Sequence, residues 1–261
     1  MQLPIYQVDA FTAELFAGNP AAVVPLSTWL TEEEMQDIAA ENNLSETAFF
    51  VREGEHYNLR WFTPTTEVDL CGHATLATAH VLFEEMNYLK DEIIFKTKSG
   101  KLTVSKENGK LLMNFPADNM PQREAPDVLF KALGIKKTSK TYKTDDWMVV
   151  LDSEEEVAAL QPDIPMLSEV EARGVIVTAP GNKVDFVSRF FAPQSGVDED
   201  PVTGSAHTKS TPYWSKELGK DILSARQISK RGGELLCRIN GDRVEILGDA
   251  VTYLRGEISF G

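Results

Sequence analysis

The stretch FTPTTEVDLCGHAT at residues 62–75 returns, altered, as FAPQSGVDEDPVTGSAHT at residues 191–208. Aligned without gaps at an offset of 129, Arg60 meets Arg189, Phe62 meets Phe191, Pro64 meets Pro193, Val68 meets Val197 and Asp69 meets Asp198. With three residues inserted in the second copy, Gly72 meets Gly204, Ala74 meets Ala206, and Cys71-Gly72-His73 faces Thr203-Gly204-Ser205. Both copies then run on into helix-like sequence. An internal match at close to half the chain length points to a duplicated half. It divides a chain of 261 residues that length alone would allow as one domain or two.

The first half, residues 1-115, carries strand patterns at Ile5 to Phe11, Ala21 to Leu26, Glu46 to Arg52 and Tyr57 to Thr63, with a helix from Thr31 to Glu41. A long helix is expected from Gly72 to Met86, followed by a meander whose turns fall at Ser99-Gly100 and Asn108-Gly109. The Pro-rich stretch FPADNMPQREAP, residues 115–126, is the linker candidate. The second half, residues 116-261, repeats the order: strands near Thr141 and at Trp147 to Leu151, helical pieces from Ser153 to Glu171, strands GVIVTAP and VDFVSRFFA, and a helix from Gly204. The C-terminal AVTYLRGEISF reads as a strand, with a return to the first half left open. The segment ATLATAHVLF is apolar nearly all round, as a helix buried lengthwise requires. An α+β fold follows, two similar halves each with a sheet curled around a central helix.

Composition narrows the function classes. Lys and Arg number 26 against 40 Asp and Glu, a formal charge of −14 that opposes a polyanionic partner, so nucleic acid is not expected. The acidic runs Glu32-Glu33-Glu34 and Glu154-Glu155-Glu156 suit helix starts, where carboxylates meet the positive end of the dipole. No segment approaches the roughly 18 apolar residues of a spanning helix, and no secretory leader pattern opens the sequence, so the expectation is a cytoplasmic protein without membrane association. Two cysteines, Cys71 and Cys237, make no disulfide framework. Glycine-rich dinucleotide and phosphate loops, H-E-x-x-H and paired C-x-x-C are all missing, so no cofactor is expected. Cys71 and His73 could give two metal ligands, but nothing nearby in sequence completes a set, and no metal is expected.

The helix starts at Gly72 and Gly204 offer backbone N–H groups and partial positive charge to a small carboxylate, and a glycine lets the ligand approach the backbone. Both glycines could equally serve only a tight turn. Departures from the repeat are more telling. At the 129 offset Glu46 faces Val175, so one half carries a carboxyl where the other is apolar. Alternation puts Glu46 on the face of Ala48 and Phe50, where a carboxyl should have a raised pKa suited to exchanging a proton with carbon. Asp200 falls in the three-residue insertion and can cap the turn or face a ligand. His73, at a helix start, is expected neutral and hydrogen-bonding. Ser205 could bind the ligand or serve the first helical turn. His56 and His80 read as structural or exposed, and Asp69 and Asp198 as turn or cap residues.

The motifs DAFT, FAGNPAAVV, LSETAF, FTPTTEVDLCGHATLATAH and DEDPVTGSAH, in order from Asp9 to His207, resemble the PhzF family of phenazine-biosynthesis-like isomerases. The resemblance implies a diaminopimelate-epimerase-like fold, two pseudo-twofold halves each with a barrel-like, mostly antiparallel sheet around a central helix, and a substrate held in the cleft between them. It implies that Glu46 is a general acid/base acting without a cofactor. His73, Asp200 and Ser205 would hold the substrate or assist the transfer, and Gly72 and Gly204 would bind its carboxylate. A homodimer is also implied. The family's founding member isomerises a dihydro-hydroxyanthranilate, which nothing in these residues identifies as the ligand here.

In the related epimerases a cysteine precedes each of the two glycines, giving one thiol for each face of the substrate. Here those positions are Cys71 and Thr203, and a threonine hydroxyl is too weak an acid to act as the second thiol. Proton relocation by Glu46 alone therefore fits better than two-base racemisation. Two alternatives stand beside it: a Cys71/Thr203 dehydratase or epimerase of a small amino or hydroxy acid, and a non-catalytic protein that binds a small ligand.

Overall fold

A computed structural model describes residues 2–136 and 140–259. Two compact units emerge: Met1–Asn114 together with Glu245–Gly261, and Phe115–Val244.

Unit 1 holds β1 (Gln2–Ala10), β2 (Asn19–Leu26), α1 (Glu32–Asn42), β3 (Glu46–Glu53), β4 (His56–Phe62), β5 (Glu67–Val68), α2 (Gly72–His80), β6 (Glu92–Thr97), β7 (Gly100–Glu107) and β8 (Lys110–Pro116). Unit 2 follows with α3 (Asp127–Leu133), β9 (Lys140–Lys143), β10 (Trp147–Val150), α4 (Glu154–Ala159), α5 (Ile164–Leu167), β11 (Val175–Pro180), β12 (Phe186–Ala192), β13 (Val197–Asp200), α6 (Gly204–Leu218), β14 (Ile222–Gln227) and β15 (Gly233–Asn240). The chain then passes through β16 (Arg243–Gly248) to β17 (Ala250–Ser259), which runs antiparallel to β1 in unit 1.

Strand pairing repeats step for step. In unit 1 β1 and β2 are antiparallel, β2 and β3 parallel, β3 and β4 antiparallel, β4 and β6 parallel, and β6 and β7 antiparallel. In unit 2 β9 and β10, β10 and β11, β11 and β12, β12 and β14, and β14 and β15 give the same series. A parallel pair needs a crossover, and helices supply it: α1 and α2 in unit 1, α4 with α5 and then α6 in unit 2.

Each sheet buries both faces. Ala22, Val24, Phe49 and Phe62 pack with Met35 and Ile38 of α1, while the alternating Val23 and Ala48, also buried, belong to the other face, against which α2 packs. In unit 2 Val175, Val177, Val187 and Phe191 join the cluster that includes Val157 of α4 and Leu167 of α5, and Ile176, Phe190 and Ala192 pack with Ala206 of α6. Local sequence sets the helix ends. Thr31 and Glu34 form a reciprocal capping box (Glu34 N to Thr31 Oγ1 3.2 Å, Thr31 N to Glu34 Oε2 2.8 Å), and Asn43 closes α1 in the left-handed conformation at φ 48°.

The central helices bury hydroxyl groups by bonding them back to the helix. Thr75 and Thr78 donate to the carbonyls of Cys71 and Ala74 at 2.6 and 2.7 Å, and Ser210 donates to Ala206 O at 2.6 Å. The expected helix from Gly72 to Met86 is α-helical only to His80, and Val81–Glu85 forms a wider π turn closed by Met86 N to Val81 O at 3.0 Å. Pro212 lies inside α6 and has no N–H to give Thr208 O. That carbonyl is satisfied instead by Asp118 N at 3.2 Å. No helix among the described residues is long and apolar enough to cross a membrane.

Candidate functional site

Both central helices begin alike. Cys71 and Thr203 occupy the N-cap positions of α2 and α6 in extended conformation, neither helix has a side-chain cap, and Gly72 and Gly204 are their first residues. Thr75 Oγ1 donates to Cys71 O, and His207 Nδ1 reaches Thr203 O at 2.8 Å, so both N-cap carbonyls are held by the residue four positions on. His207 is fully buried, and burial lowers its pKa to about 4, so it is a neutral donor at ordinary pH.

The register corrects two details of the repeat. Arg60 makes a fork to Glu67 (Nε to Oε1 2.7 Å, Nη2 to Oε2 2.8 Å) and lies 5.3 Å over the ring of Phe62. Arg189 makes the same fork to Glu199 at 2.7 and 2.8 Å and lies 4.9 Å over Phe191. Glu67 therefore corresponds to Glu199, so the insertion lies upstream of Glu199, in the loop that follows β12. Trp61 pairs with Val68 and Phe190 with Asp200, so Asp200 is the counterpart of Val68 and lies outside the insertion. The identities of Val68 with Val197 and Asp69 with Asp198 are accidental.

Glu46 is the second correction. Thr47 pairs with Phe62, and Val175 pairs with Phe191, the counterpart of Phe62. Val175 therefore matches Thr47, and Glu46 matches Gly174. A Cβ on Gly174 would lie inside contact distance of the Phe190 ring, 2.7 Å from Cε2, so no side chain fits in Glu46's place in unit 2.

In unit 1, three predicted residues come together. Glu46 opens β3 beside Ala21 of β2, and its side chain is 18% exposed. Its Oε2 is 3.0 Å from Nε2 of His73, the second residue of α2. The two atoms are close without hydrogen-bond alignment, and each is otherwise buried and unpaired. On the other side of the ring, His73 Nδ1 is 3.2 Å from Asn19 Nδ2 and 3.5 Å from Cys71 Sγ. Burial works against a charge on His73, but the Glu46 carboxylate 3.0 Å away favours it and raises its pKa well above the ordinary histidine value. The Glu46 carboxylate therefore opposes the helix dipole, which favours the neutral ring. Burial, and after it the Glu46 charge, push the Cys71 thiol up to about 11.

Glu46, Cys71 and His73 bring one carboxylate oxygen, one sulfur and one ring nitrogen within 4.8 Å of one another, a trio of possible metal ligands. The carboxylate and the sulfur stand nearest opposite nitrogens of the ring. This arrangement suits proton movement between neighbours.

In unit 2, Thr203 Oγ1 donates to Asp200 Oδ2. Gln227, fully buried on β14, clamps this turn: its Oε1 accepts from Thr203 N at 2.9 Å and its Nε2 donates to Asp200 O at 2.7 Å. Ser205, the second residue of α6, accepts from Arg173 Nη2 at 3.0 Å. Arg173 is ion-paired to the fully buried Asp146, which also holds the buried Lys209 at 2.5 Å. Asp145 lies 3.3 Å from Arg173 Nε and also pairs with Lys209. Burial opposes its charge, but Lys209 and then Arg173 prevail and bring its pKa down to about 2. Asn19, Gln227, Arg173, Asp146 and Lys209 were missed by sequence reasoning. The available signals were the Asp145-Asp146 doublet before a strand and a lysine among the mostly small residues of the first half of α6.

The sequence matches the phenazine biosynthesis-like protein family (PhzC-PhzF) over residues 8–256. It is 52% identical over 258 residues to an uncharacterized isomerase of Pseudomonas aeruginosa, covering 99% of each chain. The fold superposes on the crystal structure of a phenazine biosynthesis protein of the PhzF family from Enterococcus faecalis with TM-score 0.97, 48% identity and full coverage of both chains. A probable proline racemase from Agrobacterium radiobacter shares the fold alone, with TM-score 0.65 and 12% identity over 99% of this chain and 93% of that one.

Proposed function

The chain belongs to the PhzC-PhzF family of phenazine biosynthesis-like proteins, and from that premise we propose that it is a cofactor-independent isomerase. Glu46 takes a proton from one carbon of a small carboxylated substrate and returns it to another. His73 stabilises the Glu46 carboxylate before it takes the proton and again once the proton has been returned. In unit 1 the first-turn N–H groups at Gly72 bind a carboxylate, and in unit 2 Asp200, Ser205 and the first-turn N–H groups at Gly204 form a ligand-holding set of their own.

The observation that carries this reading is the one-sidedness of the acid/base. Glu46, with its His73 partner, has only Gly174 as its counterpart in unit 2, where Phe190 fills the space. Racemisation through two thiols would need an acid at both N-caps, but Thr203 has no thiol, and Cys71, at a pKa of about 11, keeps its proton near neutrality. One carboxylate that both removes and returns a proton needs no second base.

The test is deuterium incorporation from D2O into a panel of small cyclic and acyclic carboxylates, followed by NMR. Exchange at carbon with the unaltered protein and its loss in Glu46→Gln, with Cys71→Ser still active, is the expected result. Exchange that survives in Glu46→Gln and fails in Cys71→Ser would replace this reading with thiol chemistry.

A further inference from the structure

We propose that Arg173 is a positioning residue that fixes the Ser205 hydroxyl as a hydrogen-bond donor to an anionic group of the ligand; this rests on Ser205 being a substrate-holding residue. Arg173 immediately precedes Gly174, the position that matches Glu46. With no room for a side chain at 174, the polar group reaching the first turn of the central helix comes from one residue earlier. The Arg173 guanidinium lies 5.3 Å over the Phe190 ring, the same ring that excludes a side chain from Gly174, and its Nη2 is 3.0 Å from Ser205 Oγ.

The direction of that bond follows from the groups. A guanidinium has five donors and no acceptor, so Ser205 Oγ must accept, and its own proton is free to be given to something else. A hydroxyl that accepts from a cation is also a stronger donor. It stands in the first turn of α6, whose dipole has the same sign. Each influence favours a negative partner, for which a carboxylate is the natural choice.

Arg173 is held in place from behind. Asp146, fully buried, binds both the guanidinium and the buried Lys209, one turn along α6 from Ser205. Asp145 contacts the same two cations, and Asp118 Oδ2 lies 3.8 Å from Lys209 Nζ. A lysine at 173 could keep the charge but could not address Asp146, Asp145 and Ser205 together, because that uses the planar fork.

The test needs neither substrate nor turnover, so it stands or falls separately from the isomerase reading. Ser205→Cys puts a thiol at the position, and its ionisation is followed by the ultraviolet absorbance of the thiolate. The native thiols do not interfere, since Cys71 and Cys237 ionise only near 11 and 12. With Arg173 present the introduced thiol should titrate about one unit or more below the ordinary value of about 8.5. Adding Arg173→Gln should move it back up by about one unit, and Arg173→Lys should restore part of the depression. Circular dichroism and melting of the Arg173→Gln protein separate loss of charge from loss of fold. Identical titrations with Arg173, Arg173→Lys and Arg173→Gln would overturn the proposal.

Discussion

The first turns of α2 and α6 are built on one backbone plan and carry opposite chemistry. Each begins from an extended N-cap residue, places glycine first and has its N-cap carbonyl tied by the residue four positions on. At the second position, His73 meets a carboxylate from β3, and Ser205 meets a guanidinium from the residue before Gly174. Duplication supplied two equivalent anion-attracting helix ends. Divergence then set a carboxylate beside one and a fixed cation beside the other. A shared scaffold explains what both halves retain, and the chemistry is to be sought where they differ.

The largest effect should come from erasing the acid. Glu46→Gln keeps the shape of the side chain and should lower turnover by about 10² to 10⁴ while the protein still folds, as single-turnover kinetics and circular dichroism would show. An unchanged rate would remove the distinction between the two helix starts. Next is the network behind Arg173. Asp146→Asn leaves Lys209 and Arg173 without their shared buried carboxylate, and breaking such a pair costs about 3–5 kcal/mol. Urea unfolding measures it, and a loss below about 1 kcal/mol would mean that the network does not hold Arg173.

A third change probes the empty counterpart of the acid. Gly174→Ala forces a methyl group into the Phe190 ring, and overpacking of this kind costs about 1–3 kcal/mol. Glu46→Ala, at the matching position of unit 1, removes atoms and overpacks nothing. Thermal melting of the two variants should therefore show Gly174→Ala as the less stable one, and the reverse order would mean that the Phe190 ring yields to a side chain at 174.

Much of this was legible in the sequence. The duplication, the α+β class and both helix starts are read from spacing and chemistry, which also single out Glu46 and His73 one by one; that these two stand together with Cys71 is visible only in the fold. The errors arose where short identities competed with pairing. Val68 with Val197 and Asp69 with Asp198 pulled the alignment past the insertion, whereas the Arg60–Glu67 and Arg189–Glu199 forks give the true match. A one-residue slip likewise set Glu46 against Val175, and in a strand one residue exchanges the faces. Arg173, Asp146, Lys209 and Gln227 lie far apart in sequence, and only the fold brings them to one helix end. The π turn after His80 also escapes prediction, since one extra residue in a turn leaves the apolar pattern almost unchanged.

The smallest effect is expected at Cys71, and its sign distinguishes a buried thiol from a reacting one. Near neutrality Cys71→Ser should change turnover little, because the thiol keeps its proton up to about 11. In the unfolded chain the same group ionises near 8.5. Between those values the folded state holds a proton that the unfolded state has lost, so stability is complete below the unfolded pKa and declines as pH rises towards 11. Cys237, raised to about 12 by burial, adds a decline of the same sign. Denaturant unfolding from pH 7 to 10 should therefore show a shallower alkaline loss in Cys71→Ser than in the unaltered protein, with the Cys237 part remaining. An unchanged slope would mean that Cys71 ionises in the folded state as readily as in the unfolded one. The two N-caps would then differ by a reactive thiolate, and the thiol would again compete with Glu46 as the base.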